Sequence, residues 1–236
     1  MKIAVMQPYI FPYLGYYQLV NAVDTFVFFD DVNYINKGWI NKNQMIQQNG
    51  EPLKFTVPLS KASQNKMINE IELSGFSAWK KDFLKSIELN YKKAPHFVFV
   101  FNWLNEFLTK EFLFINDLAS ESIKSVSKLL GVLTEFKSSS GIIYKNGTDQ
   151  NGEQKVIAIC KILGADRYIN PKNGKGLYNE QKFEESGVHL NFINMNGIIY
   201  NQLSNNKFIP SLSIIDVLMF NSIEETKKLL TQFTLI

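Results

Sequence analysis

The chain has 236 residues, 45% of them hydrophobic, which is enough to bury one large core. Its 25 basic and 22 acidic residues leave a net charge of +3, and the lysines are scattered in short pairs such as Lys80-Lys81, so the basic stripe of a nucleic-acid binder is missing. No run of 18 apolar residues offers a membrane span, and the opening Met1-Lys2-Ile3-Ala4-Val5 meets Gln7 and Pro8 too soon for a secretory signal; the expectation is a cytoplasmic protein.

Lys2 to Met6 is a short apolar run that reads as a buried strand. Gln7-Pro8-Tyr9, with Pro12 and Gly15 close behind, breaks it into a shaped loop. Tyr16 to Ala22 reads as a helix, and Thr25 to Phe29 as a second strand ending at Asp30-Asp31. The order strand, loop, helix, strand is a βαβ unit, which implies parallel strands and a right-handed crossover. The fold class is therefore α/β, with a parallel-sheet core that begins with this unit.

Further along, a polar stretch from Gly38 to Gln48 surrounds Trp39. Phe55 to Leu59 reads as a strand, and Met67 to Leu73 alternates like an exposed one. Helices are predicted over 79–90, 97–108 and 113–130, the last ending at Gly131. Thr134 to Phe136 is a short strand before the Ser138-Ser139-Ser140-Gly141 turn. Gln154 to Leu163 is a helix closed by Gly164 and carrying the single cysteine, Cys160, which reads as a buried residue rather than a nucleophile. Short strands follow at 167–169 and 189–193 around a loop at Asn173 to Gly176, and helices at 213–220 and 223–233 close the chain. The reading is one domain over 1–236, with a helix-rich central subdomain at about 78–135.

In parallel α/β sheets ligands bind beyond the carboxyl ends of the strands. Gln7 to Tyr9 and Asp30 to Asn33 both fall at such ends, so the two polar clusters are expected to share a crevice. Gln7 can donate and accept and is paired on the loop with Tyr9 and Tyr13, Tyr16 follows, and Gly15 opens a helix whose free amides suit a phosphate. Asp30 and Asp31 are the candidate catalytic carboxylates; paired in this way they could act as a base, hold a metal or receive a sugar hydroxyl. Lys37, Trp39, Asn41 and Asn43 alternate, and an extended stretch would turn all four to one face, giving a cation, an indole and two amides for a sugar-like ligand. In the later run from Pro171 to Tyr178, Lys175 and Tyr178 are candidate anion and ring contacts. His96 and His189 lie far apart and make no zinc pair, so no metal site and no cofactor are assigned.

The strand, Pro/Gly loop and helix also resemble the start of a nucleotidylyltransferase. That superfamily holds triphosphate with two histidines around a glycine, whereas here Tyr16 follows Gly15 and neither histidine is in the loop. A closer resemblance is carried by Met6-Gln7-Pro8-Tyr9-Ile10-Phe11-Pro12-Tyr13-Leu14-Gly15-Tyr16-Tyr17, then Phe29-Asp30-Asp31-Val32-Asn33-Tyr34, then Lys37-Gly38-Trp39-Ile40-Asn41-Lys42-Asn43. Val57-Pro58, Tyr91 with Pro95, Gly164 with Tyr168 and Leu212-Ser213-Ile214-Ile215-Asp216 continue it in order. Together these runs resemble the WbqC-like family; Asn33 stands where that family often has Gln.

The resemblance implies a cytoplasmic role in bacterial surface-polysaccharide (O-antigen) synthesis, acting on a nucleotide-linked sugar, for instance a dTDP-linked amino sugar. The first expectation is a transferase moving an acyl or aminoacyl group from an unidentified donor. The alternative is a non-catalytic module that binds the sugar nucleotide or assembles the pathway.

Overall fold

In the computed structural model, which describes residues 1–144, 150–195, 197–200, 202 and 208–236, the first unit forms as the sequence predicts. Strand β1 (Lys2–Met6) leads through α1 (Leu14–Asn21) into β2 (Thr25–Phe28), and the strands pair in parallel from Ile3 opposite Thr25 to Met6 opposite Phe28. A hairpin of β3 (Lys42–Ile46) and β4 (Pro52–Thr56) follows, then a two-residue pair of β5 (Leu59–Ser60) and β6 (Glu72–Leu73). The helices α2 (Phe76–Tyr91), α3 (Phe97–Phe107) and α4 (Ile115–Leu129) come next. The chain then returns to the sheet with β7 (Glu135–Ser138), α5 (Gly152–Ile162), β8 (Arg167–Pro171), α6 (Glu180–Glu185) and β9 (His189–Met195). It ends with α7 (Ile214–Phe220), α8 (Ile223–Leu229) and β10 (Phe233–Leu235).

The main sheet runs β10-β9-β8-β1-β2-β7, parallel throughout except for β10, which pairs antiparallel with β9. Alternation along β1 sends Ala4 to one apolar cluster and Ile3 and Val5 to the other. The first cluster joins the sheet to α1 and to the helices of the middle and end of the chain: Tyr17 and Leu19 belong to the same buried cluster as Phe83, Leu104, Ile123 and Leu218. Residues of the 78–135 region thus share one core with the sheet. The second cluster covers the opposite face with Val156, Ile159 and Cys160 of α5 and Phe183 of α6. Cys160 is fully buried there, and burial pushes its thiol up to about 12, which keeps it protonated and inert.

Helix boundaries follow local chemistry. Asn151 and Gln154 close a reciprocal capping box at the start of α5, and Ser222 with Glu225 does the same for α8. Gly131 and Gly164 follow α4 and α5 with φ of +67° and +68°, the left-handed conformation that ends a helix at low cost in glycine.

Three expectations need correction. The helix read over 223–233 stops at Leu229, and Phe233–Leu235 is strand β10 instead. Met67 to Leu73 is no exposed strand: Ile68–Glu70 is a 3-10 turn, Ile68 and Ile71 are fully buried, and of this run Glu72–Leu73 forms the strand β6. The Lys37–Asn43 run is not continuously extended either. Gly38 N–H donates to Ile35 O and Lys42 N–H to Trp39 O, so two turns precede β3 and the alternating face does not form.

Candidate functional site

The order of connections fixes where a crevice opens. From β1 the chain moves through α1 to β2 and then to β7 on one side; after α5 it crosses back to β8 on the other side of β1. α1 and α5 pack on opposite sheet faces, so their loops diverge beyond the carboxyl ends of β1 and β8. That is a topological switch point, the usual ligand position in an open α/β sheet.

A cleft of about 620 Å³ occupies this position. Gln7 at the end of β1, Asn173 after β8 and Met195 at the end of β9 form its sheet side. Tyr9, Tyr13 and Tyr16 form one wall, while Trp39, Asn43 and Gln44 face it from the hairpin segment. The wall is built by hydrogen bonds. Tyr13 N–H donates to the Tyr9 hydroxyl at 3.2 Å, and the Tyr16 hydroxyl donates to the Gln7 carbonyl at 3.1 Å. Tyr9 and Tyr16 pack edge to face, their centroids 5.4 Å apart. Burial raises the pKa of Tyr9, Tyr13 and Tyr16, so all three stay protonated near neutral pH. Trp39 is 51% exposed at the rim.

The loop that carries this wall is strained and pinned. Phe11 is fully buried with φ of +42°, uncommon for a bulky residue. Its ring packs among Phe83, Trp103 and Phe107. Ser122 Oγ accepts from its N–H at 3.1 Å, and its carbonyl accepts from Ser213 Oγ at 2.9 Å and from Asn43 Nδ2. Asn43 Nδ2 also reaches Ile10 O at 3.0 Å, and its Oδ1 takes the Gln44 N–H.

Asp30 and Asp31 sit apart from the cleft. They are 2% and 4% exposed, at the end of β2 against the turn after β7. Asp30 Oδ1 accepts from Ser140 N–H at 2.9 Å and from Ser139 Oγ at 3.0 Å, and Oδ2 accepts from Ser140 Oγ at 2.7 Å. Asp31 accepts from Ser139 Oγ and from the Tyr144 hydroxyl at 2.8 Å. The carboxylates thus tie β2 to β7. Although they share a sheet edge with Gln7, the two polar clusters do not line one cavity. No group of three or more His, Cys, Asp or Glu among the described residues is arranged to hold a metal.

A family model described as WbqC-like protein family matches residues 7–228, from the first residue of the Gln7 loop to α8. The chain belongs to the WbqC-like protein family. An uncharacterized protein of Mycobacterium tuberculosis is similar over 223 residues at 26% identity, covering 93% of each chain. No solved structure matches.

Of the WbqC-like chain's candidate site residues, the cleft brings together Gln7, Tyr9, Tyr16, Trp39 and Asn43. Asn41 is buried, accepting from the Tyr34 hydroxyl at 3.0 Å and donating to Val57 O at 2.7 Å. Lys37 is exposed and outside the cleft lining. Lys175 is exposed on the 3-10 turn Lys172–Leu177 that carries Asn173. Tyr178 packs on Tyr168 and Phe183 with the second core. Gly15 lies inside α1, where an added Cβ would meet Met195 Sδ at 2.2 Å and the Tyr13 ring at 2.5 Å. Its outer face is thus covered by side chains, where a bound phosphate was expected.

Sequence reading singled out Tyr13 beside Tyr9, and both line the cleft; it did not single out Gln44, Asn173, Met195 or Ser211. Met195 and Ser211 carry no local signal: the place of β9 in the sheet brings in the first, and the bridge between Tyr13 and Ser213 the second. No helix among the described residues is long and apolar enough to cross a membrane.

Proposed function

We propose that this WbqC-like protein handles a nucleotide-linked sugar for surface polysaccharide synthesis, and that the sugar nucleotide occupies the cleft between β1 and β8. The carrying observation is the make-up of that cleft: tyrosine and indole faces beside amides of Gln7, Gln44 and Asn173, at a switch point. Aromatic faces stack on a base or a sugar, and amides both donate to and accept from hydroxyls. Lys172 and Lys175, exposed on the turn that carries Asn173, supply the positive charge a diphosphate requires.

The reaction proposed is acyl or aminoacyl transfer to an amino sugar. The amine lone pair attacks the carbonyl carbon of an activated donor. The C–N bond forms as the bond to the leaving group breaks, and the leaving group departs with that electron pair and takes up the proton the amine loses. This scheme suits a cleft whose described lining holds no carboxylate, histidine or lysine. The same absence favours a second reading, a module that binds the sugar nucleotide without turning it over.

Calorimetry with a dTDP-linked amino sugar tests the site. Binding that weakens about 10-fold or more in Trp39→Ala, on the scale of base–aromatic stacking, supports it; unchanged affinity refutes it. Product analysis with activated acyl donors then separates transferase from module.

A further inference from the structure

On the other side of Tyr13 lies a second pocket of about 340 Å³, partly open to solvent. Leu14 and Gly15 of α1, Ile198, Phe208, Leu212 and Val217 of α7 give it an apolar lining. Tyr13, Met195 and Ser211 line both this chamber and the polar cleft, so these three residues form the partition between them. The partition closes through the Tyr13 hydroxyl, which donates to Met195 Sδ at 3.1 Å. A thioether is a weak acceptor, so this contact costs little to open. Gly15 permits it, because any larger residue would drive a Cβ into both partners. Ser211 completes the junction with φ of +58°, a strained conformation of the kind found at ligand clamps.

We infer that the chamber receives the aliphatic part of an acyl donor, and that Tyr13 and Met195 form the gate through which its carbonyl carbon meets the sugar amine in the cleft. The inference rests on the sugar-nucleotide reading and adds the chemical class of the second substrate: an acyl thioester with a short hydrocarbon chain. The size is suitable, since a cavity of about 150 Å³ already holds benzene. The chemistry is suitable too, since the chamber gains from apolar burial while the cleft offers amides to the polar ends.

The experiment uses the whole chain with its six methionines carrying ¹³C-methyl labels, the Met195 signal being assigned through Met195→Leu. The probes are N-acetylcysteamine thioesters with acyl chains of increasing length, titrated with and without a dTDP-linked amino sugar. Affinity is expected to rise about fourfold per added methylene, the scale of burying one such group, until the chamber is full. The Met195 methyl signal should shift with it. Val217→Phe should shorten the longest chain tolerated, and Ile198→Phe provides the same test from a loop if the helix variant does not fold. Affinity independent of chain length, or a gain that leaves Met195 unmoved and survives both filled-chamber variants, overturns the inference even when the sugar nucleotide binds. Conversely, a chain-length gain seen at Met195 in a protein that ignores the sugar nucleotide upholds the chamber and removes the cleft reading alone.

Discussion

The Tyr91 hydroxyl donates to Asp216 Oδ1 at 2.8 Å across 125 residues of sequence, joining the end of α2 to the first turn of α7. Tyr200 donates to the other carboxylate oxygen at 2.8 Å, and Ile46 N–H donates to the Tyr91 oxygen at 2.9 Å. Burial is the main reason the Asp216 pKa rises to about 6, partly offset by the hydrogen bonds from Tyr91 and Tyr200. Between pH 4 and 6 the unfolded chain loses this proton while the folded chain keeps it. The group's contribution to stability therefore falls as pH rises through that window, by about 3 kcal/mol in total, and is flat above it. Asp216→Asn is expected to remove this slope. Urea unfolding of both proteins at pH 4, 5, 6 and 7 measures it; identical slopes would show that Asp216 titrates as in the unfolded chain.

Asn43 holds the strained turn. Its replacement by Ala removes the donor to the Ile10 carbonyl and the acceptor of the Gln44 N–H, while the Phe11 carbonyl keeps Ser213 Oγ; each buried unpaired group costs about 1–3 kcal/mol. A total loss of about 3 kcal/mol is expected, read from the denaturant midpoint. Asn43→Asp should be worse, because a carboxylate would face two carbonyl oxygens. A shift below about 0.5 kcal/mol in Asn43→Ala would mean that the turn does not depend on this amide.

Gly15→Ala should act on the Tyr13–Met195 contact rather than on the fold. Alanine gains about 1 kcal/mol of helix propensity over glycine, while the new Cβ pushes against the ends of two side chains that can move. The thermal midpoint is expected to change by only a few degrees, while the Met195 methyl signal moves. A midpoint drop of 15 degrees or more would show that the contact is structural.

For Asp30, stability and turnover give different answers. Asp30→Ala removes the acceptor of Ser140 N–H and of two serine hydroxyls and should lose about 4–5 kcal/mol, since each such hydrogen bond to a charged group is worth at least about 1.5 kcal/mol. Sugar-nucleotide affinity of the folded protein should be unchanged. A general base would behave otherwise: Asp30→Asn would keep fold and affinity and lose turnover.

The parallel core was legible because its signals are local. β1 matches Lys2–Met6 as read, and Gly131 and Gly164 mark helix ends that the φ values agree with. The site was half legible. Gln7 and Tyr9 lie on one loop and Tyr16 in the first turn of the helix it leads into, and a loop after a first strand faces the carboxyl edge. An amide reads alike whether it meets a ligand or a backbone carbonyl: Asn41 is held by Tyr34 and Val57 away from the cleft, while Asn43 lines the cleft and also donates to the Ile10 and Phe11 carbonyls. The partners of Asp30 and Asp31, namely Ser139, Ser140 and Tyr144, stand more than 100 residues later, where no local pattern announces them.

The sheet order also governs how the protein is made. The central strand β1 gains its neighbour β2 within the first 28 residues, but β8 begins only at Arg167. During synthesis the open edge of β1 must wait for most of the chain to emerge, a long-range pairing of the kind that slows folding and exposes strands to aggregation. A nascent chain halted before Arg167 should contain the Tyr9 wall and the Trp39 side without Asn173 and Met195, and chaperones would meet an apolar strand edge where the finished protein has a binding crevice.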